Sequence, residues 1–376
     1  MKRTSKYDTP IRIVCAVLFT LFSFLYIYLF QGEQLALIQD HLAQGVTSNN
    51  TLITAIIITL LLGGLQYLLN RVGHLHGRFE AISYLPSCVL LALMTKVDSY
   101  LSYSLWQWLV PLLVVSAVYL LAVWVERNTL SSRDTKLLQR LTPNLGIMAV
   151  MFVLVGWYGN NSVAHKMELA AWKYVHEGNY EQVLSVGHHS KDTNANLTAL
   201  RSLALAKTGR LGDNLFAYPQ CYGSEGLLMS RYKVQTPSYG SKAYYELLGA
   251  SPYGGEKAAA FYRRLMSQYP DVKEYRALYV AALLLDKNLK DFTSLVTQPT
   301  TLLANAPIHY QEALIIYNEQ HPFTPIQFAA DSAIVNRYHD YLTLREEHAT
   351  NAEVLQNLCR RRFGNTYWYY YDFVNK

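Results

Sequence analysis

The stretch "IRIVCAVLFTLFSFLYIYLF" (Ile11–Phe30) decides the architecture of this chain. It contains 20 residues, of which only Arg12 is charged, and as an α-helix it would extend about 30 Å, the thickness of the hydrocarbon layer of a bilayer. Lys2, Arg3 and Lys6 precede it, as in the basic start of a signal peptide. The run is longer than a signal core of about 7–15 residues, however, and no small-x-small cleavage site follows it. We therefore predict an uncleaved membrane anchor.

Further apolar runs follow before Tyr158, after which the composition becomes that of an ordinary globular sequence. We predict that residues 1–158 form a membrane domain and that residues 159–376 form a second domain, long enough to bury its own core. The third run is the weakest because it is short and contains Pro86. The five predicted membrane-spanning helices cover about residues 11–30, 52–69, 79–95, 104–125 and 141–158.

The basic residues orient these helices. With five spans and a cytoplasmic N-terminus, ten of the eleven Lys and Arg residues before Tyr158 fall in cytoplasmic segments, counting Arg12 at the cytoplasmic end of the first span, and only Lys96 falls outside. This distribution follows the positive-inside rule, and an odd number of spans places the C-terminal domain on the extracytoplasmic side.

Net charge does not favour binding to nucleic acid. The chain carries a formal charge of +6, but residues 1–158 hold 11 basic and 7 acidic side chains, a net of +4. The remaining residues contribute only +2. Because most of the excess flanks apolar runs, the C-terminal domain lacks the basic surface that a nucleic-acid-binding protein needs.

Two stretches of the C-terminal domain can be aligned with each other. "AAWKYVHEGNYEQVLSVG" (170–187) and "RSLALAKTGRLGDNLFAY" (201–218) each contain an apolar helix, a turn with glycine, and the start of a second helix. The glycines of the two turns, Gly178 and Gly209, are 31 residues apart. A weaker third copy, "RALYVAALLLDKNLKDFTSLV" (276–296), has Lys287 at the turn. The pattern predicts a degenerate array of helix pairs.

This pattern resembles the tetratricopeptide class of helical repeats, whose period is about 34 residues. Trp172, Tyr174, Gly178 and Tyr180 stand where that class has large residues, glycine and tyrosine. The Leu-Gly pair of the first helix and the closing proline of that class are missing. The resemblance implies an all-α fold in which five membrane helices are followed by a solenoid with a concave binding surface.

The whole chain is also similar to bacterial multi-pass inner-membrane proteins that carry a helical-repeat tail. The stretches "RFEAISYLPSCVLLALMT" (78–95) and "FGNTYWYYYDF" (363–373) carry this resemblance. It implies that the chain lies in the bacterial inner membrane with a periplasmic C-terminal domain, and it implies no activity.

Tyrosines are the candidate partner-binding residues, because exposed Tyr and Trp supply large contact area at low entropic cost. Some lie in a Gly-, Pro- and Tyr-rich insertion (216–242), and the others lie in the terminal aromatic run. Core packing, or sealing of the end of the repeat array, is the alternative role. The candidates are Tyr218, Tyr222, Tyr232 and Tyr239 in the insertion and Tyr367, Trp368, Tyr369, Tyr370 and Tyr371 in the terminal run.

No motif predicts a catalytic, cofactor or metal site. The sequence lacks a glycine-rich phosphate loop, Gly-x-Ser-x-Gly, His-Glu-x-x-His and Cys-x-x-Cys. The histidine clusters "GHLHGR" (73–78), "GHHSKD" (187–192) and "HDYLTLREEH" (339–348) fit polar turns and solvated helix faces better than metal sites. Cys221 and Cys359 could pair in an oxidising compartment, although the sequence does not show that they are close.

We therefore expect a membrane-anchored extracytoplasmic scaffold or protein-binding module rather than an enzyme. Its predicted partners are the lipid bilayer and another envelope or membrane protein. The alternative is a component or enzyme that transfers or transports an envelope glycan or lipid-linked substrate. Only Glu80, Lys96 and Asp98 are ionisable residues close to the predicted membrane core, and this small number disfavours the alternative.

The orientation can be tested with a reporter that is active only outside the cytoplasm. Fused after Lys376, it should be active, because five spans carry the C-terminal domain across the membrane. The same reporter fused after Arg133, in a predicted cytoplasmic loop, is the control and should be inactive. Activity of a cytoplasmic reporter after Lys376 would contradict the five-span topology.

Overall fold

Helices are the only regular structure in the described part of the chain, which confirms the all-α prediction there. The fold was obtained as a computed structural model. The structure describes residues 8–44, 46, 50–73, 75, 77–96, 105–128, 137–159, 162–230, 238–298 and 305–374. These residues form two compact units, one of residues 1–162 with 233–238 and one of residues 163–232 with 239–376.

The described residues of the first unit form six α-helices, and their lengths follow from the apolar runs of the sequence. A π-helical segment, Tyr26–Gln31, joins the first two, and a 3-10 helix, Gly77–Tyr84, precedes the fourth. The α-helices are α1 (Asp8–Leu25), α2 (Gly32–Ala43), α3 (Thr51–Gly73), α4 (Leu85–Thr95), α5 (Leu105–Asn128) and α6 (Leu137–Tyr158).

Three helices in the described residues are long and apolar enough to cross a membrane, where the sequence predicted five. They are Asp8–Ala43, Thr51–Gly73 and Leu137–Tyr158. Two further apolar stretches, Phe79–Thr95 and Leu109–Val125, are shorter, and the second is the middle part of the 24-residue helix α5. In the first of these, α-helix begins only at Leu85, beside Pro86, so that α4 has 11 residues and extends about 16 Å. The structure therefore supports fewer full-length spans than the hydrophobic pattern predicted.

The interior of the first unit is filled by side chains of α1, α3, α4 and α6. Phe22 and Phe152 stack with ring centroids 3.9 Å apart, and Phe19 lies 4.9 Å from Tyr84. The outward faces remain apolar: Leu60 on α3 is 69% exposed. A helix that is apolar outside as well as inside is typical of a membrane span.

The second unit contains twelve α-helices in the described residues, most of them short. They are α7 (Val163–His176), α8 (Tyr180–Ser185), α9 (Ala195–Lys207), α10 (Leu211–Asn214), α11 (Ser241–Leu248), α12 (Ala258–Gln268), α13 (Lys273–Leu285), α14 (Leu289–Val296), α15 (Ile308–Gln320), α16 (Ser332–Glu347), α17 (Ala352–Phe363) and α18 (Tyr367–Phe373).

Three turns of this unit have the same geometry, and they are the turns that the sequence aligned. Gly178, Gly209 and Lys287 have φ angles of 67°, 72° and 57°, in the left-handed region. In each turn this residue donates its N–H to the carbonyl three residues earlier, and the next residue donates to the carbonyl five residues earlier. This is the Schellman pattern that ends a helix. It makes α7–α8, α9–α10 and α13–α14 equivalent helix pairs.

The core of the second unit lies around α9 and α13. Every residue from Leu197 to Ala206 is buried, as is every residue from Leu278 to Leu285. The two helices pack on each other, and α7 and α8 also pack on α9. A helix that is buried on all sides needs neighbours on all sides, so neither helix pair can be stable alone.

Replacing Gly178 with alanine should destabilise the second unit by about 1–2 kcal/mol, because an L-residue is strained in the left-handed region. A methyl group at this position would meet no atom within 4 Å, so that the backbone conformation alone carries the effect. Gly254→Ala is the control, since that position also has open space but no left-handed φ. Urea denaturation of the full-length protein in nanodiscs measures the stability of both variants. Equal midpoints for Gly178→Ala and Gly254→Ala would contradict the left-handed turn at Gly178.

Candidate functional site

A groove lies in the second unit where the first two helix pairs meet. It has a volume of about 210 Å³. Its floor is apolar, from Leu184 and Leu205, and its rim carries an ion pair between Glu181 and Arg210. The remaining lining residues are Ser185, His188, Asn214 and Tyr218. Small-molecule sites usually start at about 300 Å³, so the groove suits a single side chain of a binding partner better than a free ligand.

Tyr218, one of the predicted partner-binding residues, forms one wall of this groove. It is 7% exposed, and its hydroxyl donates to the carbonyl oxygen of Leu184 (2.8 Å). The guanidinium of Arg201 lies 4.8 Å from its ring centroid and donates to the carbonyl oxygen of Val186 (2.8 Å). Burial raises the pKa of Tyr218 and lowers that of Arg201. Tyr218 therefore shapes the groove, with only a small part of its surface open to a partner.

The other candidates of the insertion do not gather at this site. Tyr222 is 41% exposed. Tyr239 is buried, with its ring 6.1 Å from Trp172 and 5.6 Å from His176. Tyr232 lies outside the described residues. Of the four tyrosines predicted in the insertion, only Tyr218 lines the groove.

The terminal aromatic run is buried, so it is not the exposed contact surface considered in the sequence analysis. Tyr367, Trp368, Tyr369 and Tyr370 are 0–8% exposed, and Tyr371 is half-buried. They form α18, which packs on α15 and α17. Their burial agrees with the alternative role of sealing the end of the helical array.

A buried carboxylate fixes the start of α18. Glu312 is 1% exposed and accepts the backbone N–H of Tyr367 (2.7 Å), at the positive end of the helix dipole. The same oxygen is 2.8 Å from Nδ1 of His309. Nε2 of His309 accepts the backbone N–H of Phe216 (3.5 Å), so Nδ1 carries the proton that is donated to Glu312. Phe216 also lies 5.1 Å from the ring of Tyr370, which brings the insertion and the terminal run together.

The predicted alternative of a disulfide is not seen. Cys221 and Cys359 are both free thiols. Cys221 is exposed, whereas Cys359 is fully buried on α17, where burial raises its pKa. A buried thiol with a raised pKa is an unreactive one.

The histidine clusters form no metal site in the part of the chain that the structure describes, since no three His, Cys, Asp or Glu side chains there are grouped as metal ligands. His188 lies at the groove with its ring against His189. His339 and Asp340 lie on the exposed face of α16. His74, His76 and Asp98 lie outside the described residues.

A second candidate site is a cluster of hydrogen-bonded polar side chains inside the first unit. Glu80, in the 3-10 helix, is 1% exposed. One of its carboxylate oxygens accepts Nε of Arg12 on α1 (3.1 Å) and Nδ2 of Asn70 on α3 (3.1 Å). Gln66, one turn before Asn70, donates to the hydroxyl of Ser83 (2.8 Å). Three elements of the apolar unit are thus joined by polar contacts around one carboxylate.

A neighbouring set of contacts extends this cluster to α6. Asn144 accepts the backbone N–H of Ala81 (2.8 Å) and donates to the carbonyl oxygen of Arg140 (2.7 Å). Arg140 forms a buried ion pair with Asp8 at the start of α1 (3.3 Å). Buried ionisable groups in an apolar helical unit are costly unless they are paired, and here both carboxylates have a basic partner.

Glu80 was predicted from the sequence as an ionisable residue close to the membrane core, but its polar neighbours were not predicted. Asn70 follows Gln66 by four positions in an apolar run, and Asn144 follows Arg140 by four. This spacing places each pair on one face of a helix. Polar residues four positions apart within an apolar helix therefore indicate an internal polar cluster, and this pattern was present in the sequence.

The fold and the two sites define a class: a helical protein that combines apolar helices of membrane-spanning length with a unit of short paired helices. The chain matches the model of a family of unknown function, DUF6057, over residues 112–250 and 255–374, about two thirds of its length. The chain belongs to this family. No curated protein and no solved structure matches it.

Replacing Glu80 with glutamine should lower the free energy of unfolding of the first unit by about 1.5–3 kcal/mol, the value of a hydrogen bond to a charged group, since the ion pair to Arg12 is lost. Thermal denaturation of the full-length protein in nanodiscs measures the change. Glu353→Gln is the control, because Glu353 is exposed on the first turn of α17 and should give a change below about 0.5 kcal/mol. Equal melting temperatures of the two variants would show that Glu80 does not hold the helices together.

Proposed function

We propose that this protein is a membrane-anchored binding module, whose second unit recognises another protein of the cell envelope. The groove between the first two helix pairs is the observation that carries the proposal. Its lining comes from both helix pairs: Glu181, Leu184 and Ser185 lie on α8 of the first pair, and the second pair supplies Leu205 on α9 and Asn214 on α10. Two neighbouring repeats that form one groove are the arrangement by which helical repeat proteins bind polypeptide segments.

In this proposal the groove receives one anchoring side chain of the partner. The apolar floor of Leu184 and Leu205 binds the body of that side chain. Ser185, His188 and Asn214 offer hydrogen bonds to a polar end. A tyrosine has both features, and large aromatic anchors in small pockets dominate the affinity of many protein interfaces.

The cellular setting is part of the same proposal. Three apolar helices support attachment to a membrane. The charge distribution predicts five spans, a cytoplasmic N-terminus and an extracytoplasmic C-terminal unit. The sequence resemblances imply the bacterial inner membrane and a tetratricopeptide-like architecture.

Site-specific photo-crosslinking in cells tests the binding site. A photo-reactive residue at Ser185, at the groove, should capture a discrete envelope protein. The same residue at Ser267 should not, although Ser267 is also exposed near the end of a helix and bonds its own backbone, as Ser185 does. Ser185→Arg, which fills the groove, should lower co-purification of the captured protein at least tenfold, and Ser267→Arg should leave it unchanged. Equal capture at both positions, or none at Ser185, would contradict the proposal.

A second function, in the transfer or transport of a glycan or lipid-linked substrate, is favoured by one observation. The Glu80 carboxylate lies inside an apolar helical unit, where ionisable residues commonly serve transport or catalysis. The Glu80→Gln variant separates the two proposals. If it abolishes the cellular phenotype at unchanged protein level while crosslinking from Ser185 persists, the second function is supported over the first.

A further inference from the structure

Phe323 is the most exposed large apolar side chain in the described residues. It is 97% exposed, compared with 75% for Trp157 on the outer surface of α6. Burying a phenylalanine is worth about 1.5–3 kcal/mol, and single exposed apolar residues are common in soluble domains. What distinguishes Phe323 is the loop that carries it.

This loop, residues 321–331 between α15 and α16, holds Phe323 in place. Pro322 and Pro325 flank it, which restricts the backbone on both sides. The N–H of Thr324 closes the turn on the carbonyl oxygen of His321 (3.1 Å). The loop is therefore ordered before it meets any partner.

The side chain of Asn318 fixes the second half of the loop. Its Nδ2 donates to the carbonyl oxygen of Ile326 (3.0 Å), and its Oδ1 accepts the N–H of the same residue (2.8 Å). The side-chain amide thus satisfies both backbone hydrogen-bonding groups of Ile326, as a neighbouring strand would in a sheet. Because ordering entropy is already lost in the free protein, insertion of the tip would cost little further.

The loop carries no Asp, Glu, Lys or Arg before its last residue, Asp331. Residues 321–330 read "HPFTPIQFAA". The nearest carboxylates on each side are engaged within the protein: Glu319 accepts the hydroxyl of Tyr338 (2.6 Å), and Asp331 accepts the N–H of Ala333 (2.8 Å). A rigid tip with phenylalanine and proline and without charge matches the boundary between lipid headgroups and hydrocarbon, where charged groups are costly.

We propose that the loop 321–331 inserts Phe323 into the surface of the phospholipid bilayer. The bilayer is the favoured occupant because the chain has helices of spanning length, and α7 begins five residues after the end of α6. A single phenylalanine would bind a membrane weakly by itself. This inference rests on the membrane attachment proposed above: on an anchored chain the contact is intramolecular, and a high effective concentration makes it sufficient to orient the second unit.

Fluorescence quenching tests this contact in the full-length protein. In a Cys221→Ser background the remaining cysteines, Cys15, Cys88 and Cys359, are buried. Phe323→Cys is labelled with an environment-sensitive fluorophore, and the protein is placed in vesicles of phosphatidylcholine and phosphatidylglycerol that contain spin-labelled lipid. The matched control is Tyr253→Cys, which also follows a proline in an exposed loop.

The proposal expects spin-labelled lipid to quench the label at position 323 several-fold more than at position 253, and aqueous iodide to show the opposite order. Similar iodide quenching at both positions would overturn it. A label at 323 that is protected from iodide in cell membranes, but is not quenched by lipid, would also overturn it and indicate a protein pocket. Phe323→Ser should leave the melting temperature unchanged, since the ring is almost fully exposed. An unchanged melting temperature shows that replacing Phe323 does not disturb folding, so a change in quenching reports membrane contact.

Discussion

The carboxylate of Glu80 is the contact on which the arrangement of the apolar helices depends. Hydrophobic packing between helices of similar apolar character does not fix their register, especially where the surrounding lipid is as apolar as the side chains. Polar contacts do fix it, because a buried donor or acceptor without a partner is costly. Arg12 and Asn70 each bind Glu80 from a different helix, and Asn144 ties α6 to the residue after Glu80. The apolar residues then pack in the register that these contacts set.

In the second unit the corresponding constraint is the left-handed turn that ends the first helix of each pair. Two of the three turns have glycine, which adopts a positive φ without strain. The third has Lys287, whose conformation is less favourable. Its side chain explains the exception: Nζ donates to the carbonyl oxygen of Val374 (2.7 Å) and lies 5.7 Å from the ring centroids of Tyr370 and Tyr371. At the third turn a less favourable backbone conformation is therefore offset by a side-chain contact that holds the terminal helix α18 in place.

Some of this architecture could be predicted from the sequence. The positions of the three turns were correct because glycine spacing and apolar periodicity are local properties. Three of the five predicted spans are found at full length in the described residues, and the third predicted span is shorter because Pro86 and the preceding 3-10 turns delay its α-helix, which hydrophobicity alone does not show. Tyr367 and Trp368 could equally have been contact or core residues, since aromatic composition does not determine burial. The residues that bind Glu80 were missed because they meet it only after α1, α3 and the 3-10 helix have packed.

The π-helical segment Tyr26–Gln31 has a consequence for the length of the first helical stretch. It joins α1 and α2 into the stretch Asp8–Ala43 of 36 residues, with a local departure from helical geometry at Gln31 (φ −124°). At the rise of an α-helix this stretch would be about 54 Å long, whereas the hydrocarbon layer of a bilayer is about 30 Å thick. A stretch of this length that crosses a bilayer along its normal would extend about 24 Å beyond the hydrocarbon. At its far end Asp40 accepts the hydroxyl (2.6 Å) and the N–H (3.1 Å) of Ser238, and the next residue along the chain, Tyr239, packs on Trp172. Ser238 lies between two segments of the second unit in the sequence, yet a carboxylate of the first unit's longest helical stretch holds it, so the division into units does not follow the order of the chain.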